Sequence, residues 1–298
     1  GVSDITQFQS DLTHKFEALG KKHDLIAGVD LYDEDAKRNN NFAGTASNLG
    51  TTVGTPNDGD WRPDTRGTPS YNTFQARSVG LYAQDTVALT DTLKLVGGLR
   101  FDRFDASYQV PSSTAANGTV TAARQFERSD NLWSPRLGAI YQPDASTSYY
   151  ASIGTSYNTS GDAYQFSPAA PSARTSNTGP EKSRNVEVGG KFEMFEQRAT
   201  LGVALFRSEK YNERNTDPDT AATQELLSGK RHATGMEFNL AGRITAAWDI
   251  FYNHTWIPSA KIDSSNVALA ANGAGAQVQG DRPALTPKHS ASLWSTYR

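Results

Sequence analysis

Apolar and polar side chains alternate along this chain with a period of two, over stretches longer than an ordinary strand needs. In TLKLVGGLRFDRFDASY (92–108) one register carries Leu93, Leu95, Leu99 and Phe101, and the other carries Lys94, Arg100 and Asp102. Such a segment separates two environments. The pattern recurs. Phe8, Leu12 and Phe16 share a face against Gln7, Gln9, Asp11, Thr13, Lys15 and Glu17, and Leu25, Ala27, Val29 and Leu31 alternate with Asp30 and Tyr32. Val79, Leu81, Ala83, Val87 and Leu89 follow, then Trp133, Leu137, Ala139 and Tyr141, then Tyr149, Ala151, Ile153 and Tyr157. Val186, Val188 and Phe192 come next, then Leu201, Val203 and Leu205, Met236, Phe238 and Leu240, and Trp248, Ile250, Tyr252 and Trp256. With a last segment over 289–297, the periodicity predicts about eleven strands and no sustained helix.

The connections carry a second, independent signal. Short ones near 20–22, 91–92, 143–146, 195–198 and 242–245 alternate with long polar ones over 38–75, 109–129, 160–182, 213–228 and 258–287. All the long connections therefore leave at one end of the sheet. Short turns at one end, long loops at the other, strands of about ten residues or more and an apolar face backed by a polar one describe a transmembrane antiparallel β-barrel of the outer-membrane type. Closure is what lets a sheet satisfy its backbone in lipid, because it leaves no unpaired edge.

Composition agrees with that architecture. The 298 residues are 37% hydrophobic and the mean hydropathy is −0.59, as expected when half of every strand and all the long loops meet water. The net charge of −3 comes from scattered residues, so no nucleic-acid footprint stands out. Cysteine is absent, which removes disulfides, thiol catalysis and thiolate metal sites together. His14, His23, His232, His254 and His289 show no ligand spacing. No signal peptide begins at Gly1, and no run of about eighteen apolar residues offers a membrane helix. Tyr108, Trp133, Tyr141, Tyr149, Tyr157, Tyr211, Trp256 and Tyr297 lie near strand ends, where interfacial girdles belong. A soluble sandwich or other β-rich binding domain is the rival reading, but its strands are shorter and its long loops fall at both ends.

Four stretches carry a family resemblance: SVGLYAQDTVALTDTLKLVGGLRFDRFD (78–105), NLWSPRLGAIYQPDASTSYYASIGTSYN (131–158), PEKSRNVEVGGKFEMFEQRATLGVALFRSEKYNER (180–214) and TPKHSASLWSTYR (286–298). They closely resemble the barrel of TonB-dependent siderophore receptors, the catecholate-type ferric-siderophore receptors above all, and 180–207 is the most specific part. The resemblance implies a barrel of about twenty-two strands with an N-terminal plug inside it. The chain is therefore expected to be an internal piece of that barrel over 1–298, without plug or closing strands, that neither closes nor transports by itself. It further implies an outer membrane of a Gram-negative bacterium, capture of a ferric siderophore, and a TonB complex as the energising partner acting through the plug. The protein is then a transporter and not an enzyme, with outer-membrane lipid around it, no nucleic acid, and no cofactor of its own, since iron travels inside the siderophore complex. A passive porin, or a receptor of the same family for haem, cobalamin or a sugar, is the alternative.

A ferric catecholate is a bulky anion with aromatic rings, so its site needs arginines for charge-assisted hydrogen bonds and aromatic side chains for stacking. The long loops offer Trp61, Arg62, Arg66 and Tyr71 in the first, Tyr164, Phe166 and Arg174 in the third, and Arg214 in the fourth. Internal pairing with Asp58, Asp60 and Asp64 explains the first-loop arginines equally well. Asp58-Gly59-Asp60 lacks the extended spacing of a calcium loop and reads as turn chemistry. Arg100, Asp102, Arg136, Glu187, Lys191 and Glu237 fall mostly opposite the apolar register and are expected to form a charge ladder facing the lumen.

Overall fold

The strands obey the two-residue period so fully that the chain folds as one antiparallel meander. In the computed structural model, residues 1–39, 54, 70–114, 118–159, 179–216, 225–265, 278–283 and 285–298 are described, without the side chains at 39, 214–216 and 225–228. The strands are β1 (Val2–Ala18), β2 (Lys21–Asn39), β3 (Tyr71–Ala88), β4 (Leu93–Val110), β5 (Ser113–Thr114), β6 (Val120–Thr121), β7 (Arg124–Tyr141), β8 (Thr147–Asn158), β9 (Glu181–Met194), β10 (Ala199–Thr216), β11 (Glu225–Thr245), β12 (Trp248–Ser264) and β13 (His289–Tyr297). Eleven of them form a single sheet in the order β1-β2-β3-β4-β7-β8-β9-β10-β11-β12-β13, and β5 and β6 make a small ribbon in one of the long connections. Each strand of the large sheet pairs only with its neighbours in this order, and no helix occurs among the described residues.

Short turns at one end hold the registers. Leu19 and Gly20 have φ of 52° and 69°, the left-handed pair that a two-residue hairpin needs to match the twist of its strands. Between β9 and β10, three non-glycine residues in succession, Phe195, Glu196 and Gln197, have φ of 54°, 58° and 65°. Arg198 returns its Nε–H to the Phe195 carbonyl at 2.7 Å, closing that turn.

The two faces differ as the sequence predicts. Following the paired residues across the sheet places Phe8, Leu31, Val79, Phe101, Trp133, Ile153, Val186, Leu205, Met236 and Trp256 on one face, here called outward. Large apolar groups there stand open, Leu137 at 61% exposure for example, which water would penalise and lipid would not. Arg100, Asp102, Arg136, Glu187, Lys191 and Glu237 lie on the other, inward face, as the charge ladder requires.

Two expectations are corrected. The strands run further toward the long connections than their apolar alternation shows: β3 begins at Tyr71, β4 reaches Val110, β7 begins at Arg124, and β10 and β12 reach Thr216 and Ser264. A tilted strand crosses an apolar band about 25 Å tall in roughly ten residues, so strands of 17 to 21 residues project well past it. The second correction is Tyr108. It occupies the inward register of β4 at 3% exposure and is no girdle residue, because its position lies on that projecting part, above the band.

Candidate functional site

The projecting segments change which face is apolar. On β4, the outward register carries Leu93, Leu95, Leu99 and Phe101 and then turns polar with Arg103, Asp105 and Ser107, while Phe104, Ala106, Tyr108 and Val110 point inward. β3 does the same, with Val79, Leu81 and Ala83 outward and Phe74 and Ala76 inward. Once a strand leaves the bilayer, water replaces lipid outside it, and the driving force for burial acts on the inner side instead.

The result is an inner cluster at the long-loop end: Phe74, Ala76, Ala106, Tyr108 and Val110 are buried, with Tyr32, Ala36, Phe104 and Phe126 packed against them. Polar groups are built into it. Asn72 donates from Nδ2 to the Tyr108 hydroxyl at 2.8 Å, and its buried Oδ1 has no partner among the described residues. The Tyr32 hydroxyl and Ser3 Oγ donate to the two oxygens of Glu34, at 2.5 and 2.8 Å. A cavity of about 480 Å³ opens beside the cluster, lined by Ser3, Ala36, Arg38, Asn72, Phe74 and Tyr108 among others.

Further along the same end, the inner wall is ionic. Lys210 lies 2.9 Å from Glu181 and 3.7 Å from Glu213, Arg231 grips Glu213, and Asn158 donates to Glu181 at 3.0 Å. A bulge makes this possible: the register slips between Tyr211 and Glu213, with Asn212 at φ 53°, so Lys210 and Glu213 come to one face despite their odd spacing. Burial pushes the Arg231 guanidinium below its usual range. Arg128 pairs with buried Asp130 at 2.5 Å.

Lower down, at the level of the apolar band, the inward face is a polar network. Tyr82 donates its hydroxyl to Asp11, Arg100 binds Asp102 through two nitrogens and reaches Asp30 at 3.3 Å, and Tyr150 donates to Glu187 at 2.5 Å. Gly28 is required here, since a Cβ would stand 2.5 Å from the Tyr82 oxygen and 2.7 Å from the Ser10 carbonyl. An open cavity of about 540 Å³ runs along this wall past Tyr82, Arg100, Asp102 and Arg136.

Of the site residues expected from sequence, Trp61, Arg62, Arg66, Tyr164, Phe166 and Arg174 lie outside the described residues, as does the side chain of Arg214, whose backbone belongs to β10. Tyr71 is the first residue of β3, half exposed and on the outward register, so it does not join the inner cluster. The inner aromatic groups Tyr32, Phe74, Phe104, Tyr108 and Phe126 were missed as site residues. Their signal was the change of apolar parity within one strand, Phe101 to Phe104, which reads as noise unless two environments are stacked along the strand axis.

The family model described as TonB dependent receptor-like, beta-barrel, matches residues 2–298. The chain is 32% identical over 221 residues to the probable TonB-dependent receptor BfrD of Bordetella pertussis, covering 74% of this chain and 28% of that protein. It is 27% identical over 316 aligned residues to the catecholate siderophore receptor Fiu of Escherichia coli K12, covering 97% of this chain and 39% of that one. The crystal structure of the ferric-catecholate import receptor Fiu in its closed form superposes with a TM-score of 0.78 at 24% identity, over 99% of this chain and 42% of that chain. The chain thus spans 28% of the length of the first of these relatives and 39% of the second.

Proposed function

Because the chain belongs to the TonB dependent receptor-like β-barrel family, we propose that it forms part of the barrel wall of an outer-membrane receptor that takes up ferric siderophores, catecholates first. Residues 1–298 are one partial barrel domain in this reading. The observation that carries it is the inner aromatic cluster at the long-loop end, where Tyr32, Phe74, Phe104, Tyr108 and Phe126 face inward above the apolar band. Rings in that position favour a ligand that itself presents rings. On the described inner wall Arg128 is paired with Asp130 and Arg231 with Glu213, while Arg124, opposite Val110, and Arg136 lie on the same face. For charge-assisted contacts to a catecholate anion the long loops offer Arg62, Arg66, Arg174 and Arg214, with Trp61, Tyr164 and Phe166 for stacking.

Iron enters as cargo inside its complex and not as a cofactor of the protein, and no covalent bond is broken. Energy comes from a TonB complex acting through a plug domain. The test is uptake of radiolabelled iron, by cells expressing the whole receptor, from a panel of catecholate and hydroxamate complexes with and without TonB. Catecholate uptake that vanishes without TonB supports the reading. Uptake that persists without TonB makes the protein a passive channel, and uptake of hydroxamates alone removes the catecholate assignment.

A further inference from the structure

One histidine of the outward face holds a carboxylate on one ring nitrogen and a hydroxyl on the other. His232 of β11 pairs with Lys261 of β12, so Asp263 and Ser259, two residues to either side of Lys261, are its diagonal neighbours. Its Nδ1 lies 2.8 Å from both Asp263 oxygens, and its Nε2 lies 3.2 Å from Ser259 Oγ. Bulges frame the group. The register slips between Lys230 and Arg231, which makes Asp263 the extra residue of a bulge, and again between Thr234 and Met236, which sets Ile257 and Pro258 against Gly235 alone. The His232 side chain is 10% exposed, whereas Ser259 is open to the outside. Glu209, opposite His232 on β10, is engaged elsewhere: it binds the half-exposed Arg184 and Arg207, and Lys230 stands 3.9 Å away.

A carboxylate, an imidazole and a hydroxyl in series make a nucleophilic relay. Asp263 accepts the Nδ1 proton, which leaves Nε2 to accept from the Ser259 hydroxyl and to take its proton on attack. Thr234, the cross-strand partner of Ser259, accepts from Arg207 Nη1 at 3.1 Å and keeps its own O–H to donate toward an oxyanion formed over Ser259. Height selects the substrate. Ser259 and Thr234 are the first outward pair above Trp256 and Met236, where the apolar band ends on the side of the long connections, which is the outer leaflet in barrels of this type. The ester carbonyls of a bilayer lipid lie at that boundary, below the headgroup and above the hydrocarbon. We infer that Ser259 and His232 are catalytic residues, and Asp263 a positioning residue, of a second activity: hydrolysis of the fatty-acyl esters of membrane lipids. Ser259 Oγ bonds to the acyl carbon as its proton passes to His232. The C–O bond to the lipid alcohol breaks, and His232 returns the proton to the departing oxygen. Water, giving its proton to His232, then releases the fatty acid and restores Ser259.

The test uses the whole receptor, purified and placed in nanodiscs of ether-linked phosphatidylcholine, which offers no ester. The discs are doped with a diacyl phosphatidylethanolamine or with an acylated glucosamine-disaccharide lipid, and free fatty acid is measured. A fluorophosphonate probe, followed by peptide mass spectrometry, reads the nucleophile directly. Labelling at Ser259 and release of fatty acid are expected, and the lipid that is cleaved names the source of the ester. Ser259→Ala, a change at an open surface position, should abolish both. In Asp263→Asn kcat should fall about a hundredfold at unchanged KM, a split that a merely structural role would not produce. Heat-modifiable gel mobility establishes that each variant is folded. Absence of labelling at Ser259 or of fatty-acid release overturns the assignment, and so does release undiminished in Ser259→Ala, since another hydrolase would then be its source. Cleavage of a soluble butyrate ester but of neither lipid overturns the substrate class.

Discussion

Phe101 and Phe104, three residues apart on β4, face opposite sides of the sheet: the Phe101 ring lies 4.7 Å from that of Trp133 on the outward face, and Phe104 packs against the inner cluster. The bilayer edge falls between them. Substitutions should therefore follow depth. Arginine at Leu95 or Val203, in the apolar band, should cost about 2–4 kcal/mol, whereas arginine at Ser107, on the same face above it, should cost about 0–1 kcal/mol. Denaturant titration of the whole receptor in bilayers reads the difference, and equal losses at the three positions would remove the membrane from the account.

The inner cluster should behave as a core. Phe74→Ala removes a ring that is 4% exposed and should cost about 3 kcal/mol, while leaving insertion into the membrane intact. If the cluster also serves the ligand, half-saturation for uptake rises in the conservative Tyr108→Phe variant as well, which keeps the ring and loses the hydrogen bond from Asn72, worth about 1 kcal/mol.

Both environments are written in the sequence, one plainly and one not. The strand count and the outward face were legible because Leu93 to Phe101 keep one parity across the full width of the band. The inner cluster was not, because Phe104, Ala106, Tyr108 and Val110 keep the opposite parity and sit beyond the point where the outward apolar alternation ends. Lys210 and Glu213 were hidden for another reason: only the bulge at Asn212 brings them to one face, and a bulge leaves no mark on hydrophobic periodicity. The long loops carry the arginines that the ligand argument needs, and their chemistry follows from residue type alone, with no period to place them.

Acid should loosen the outward ion cluster. The Arg184 guanidinium, more than Arg207, holds the Glu209 carboxyl below the usual range, against burial, which raises it. Its folded value therefore lies below the unfolded one of about 4.3, so the contribution is complete above that pH and is lost as pH falls through the lowered folded value. Native protein should exceed Glu209→Gln in stability by about 1 kcal/mol at neutral pH, a figure that allows for solvent screening of the half-exposed cations. The difference should shrink as the pH falls below the ordinary glutamate range and vanish once the carboxyl is protonated in the folded state too. A gap independent of pH would mean that the carboxylate acts by packing alone.

The turn between β9 and β10 should accept glycine gladly. Phe195, Glu196 and Gln197 all have positive φ, a conformation that costs a non-glycine residue about 1–2 kcal/mol, against about 0.5–1 kcal/mol of added chain entropy for glycine. Glu196→Gly should therefore be neutral or stabilising by up to about 1 kcal/mol, read as a shift of the unfolding midpoint. The reverse test is Gly20→Val in the first turn, which should destabilise because a β-branched residue tolerates positive φ worst.

Neighbours in the sheet are neighbours in the chain throughout the meander. Such a wall is one-dimensional in its wiring: a fault in one hairpin reaches another only by passing through every seam between them. It is also modular in the way a palisade is, since two adjoining staves can be added or withdrawn without rerouting any other. Changes to the long loops that alter what is recognised, and changes to distant hairpins that alter girth, can then accumulate separately in the same protein.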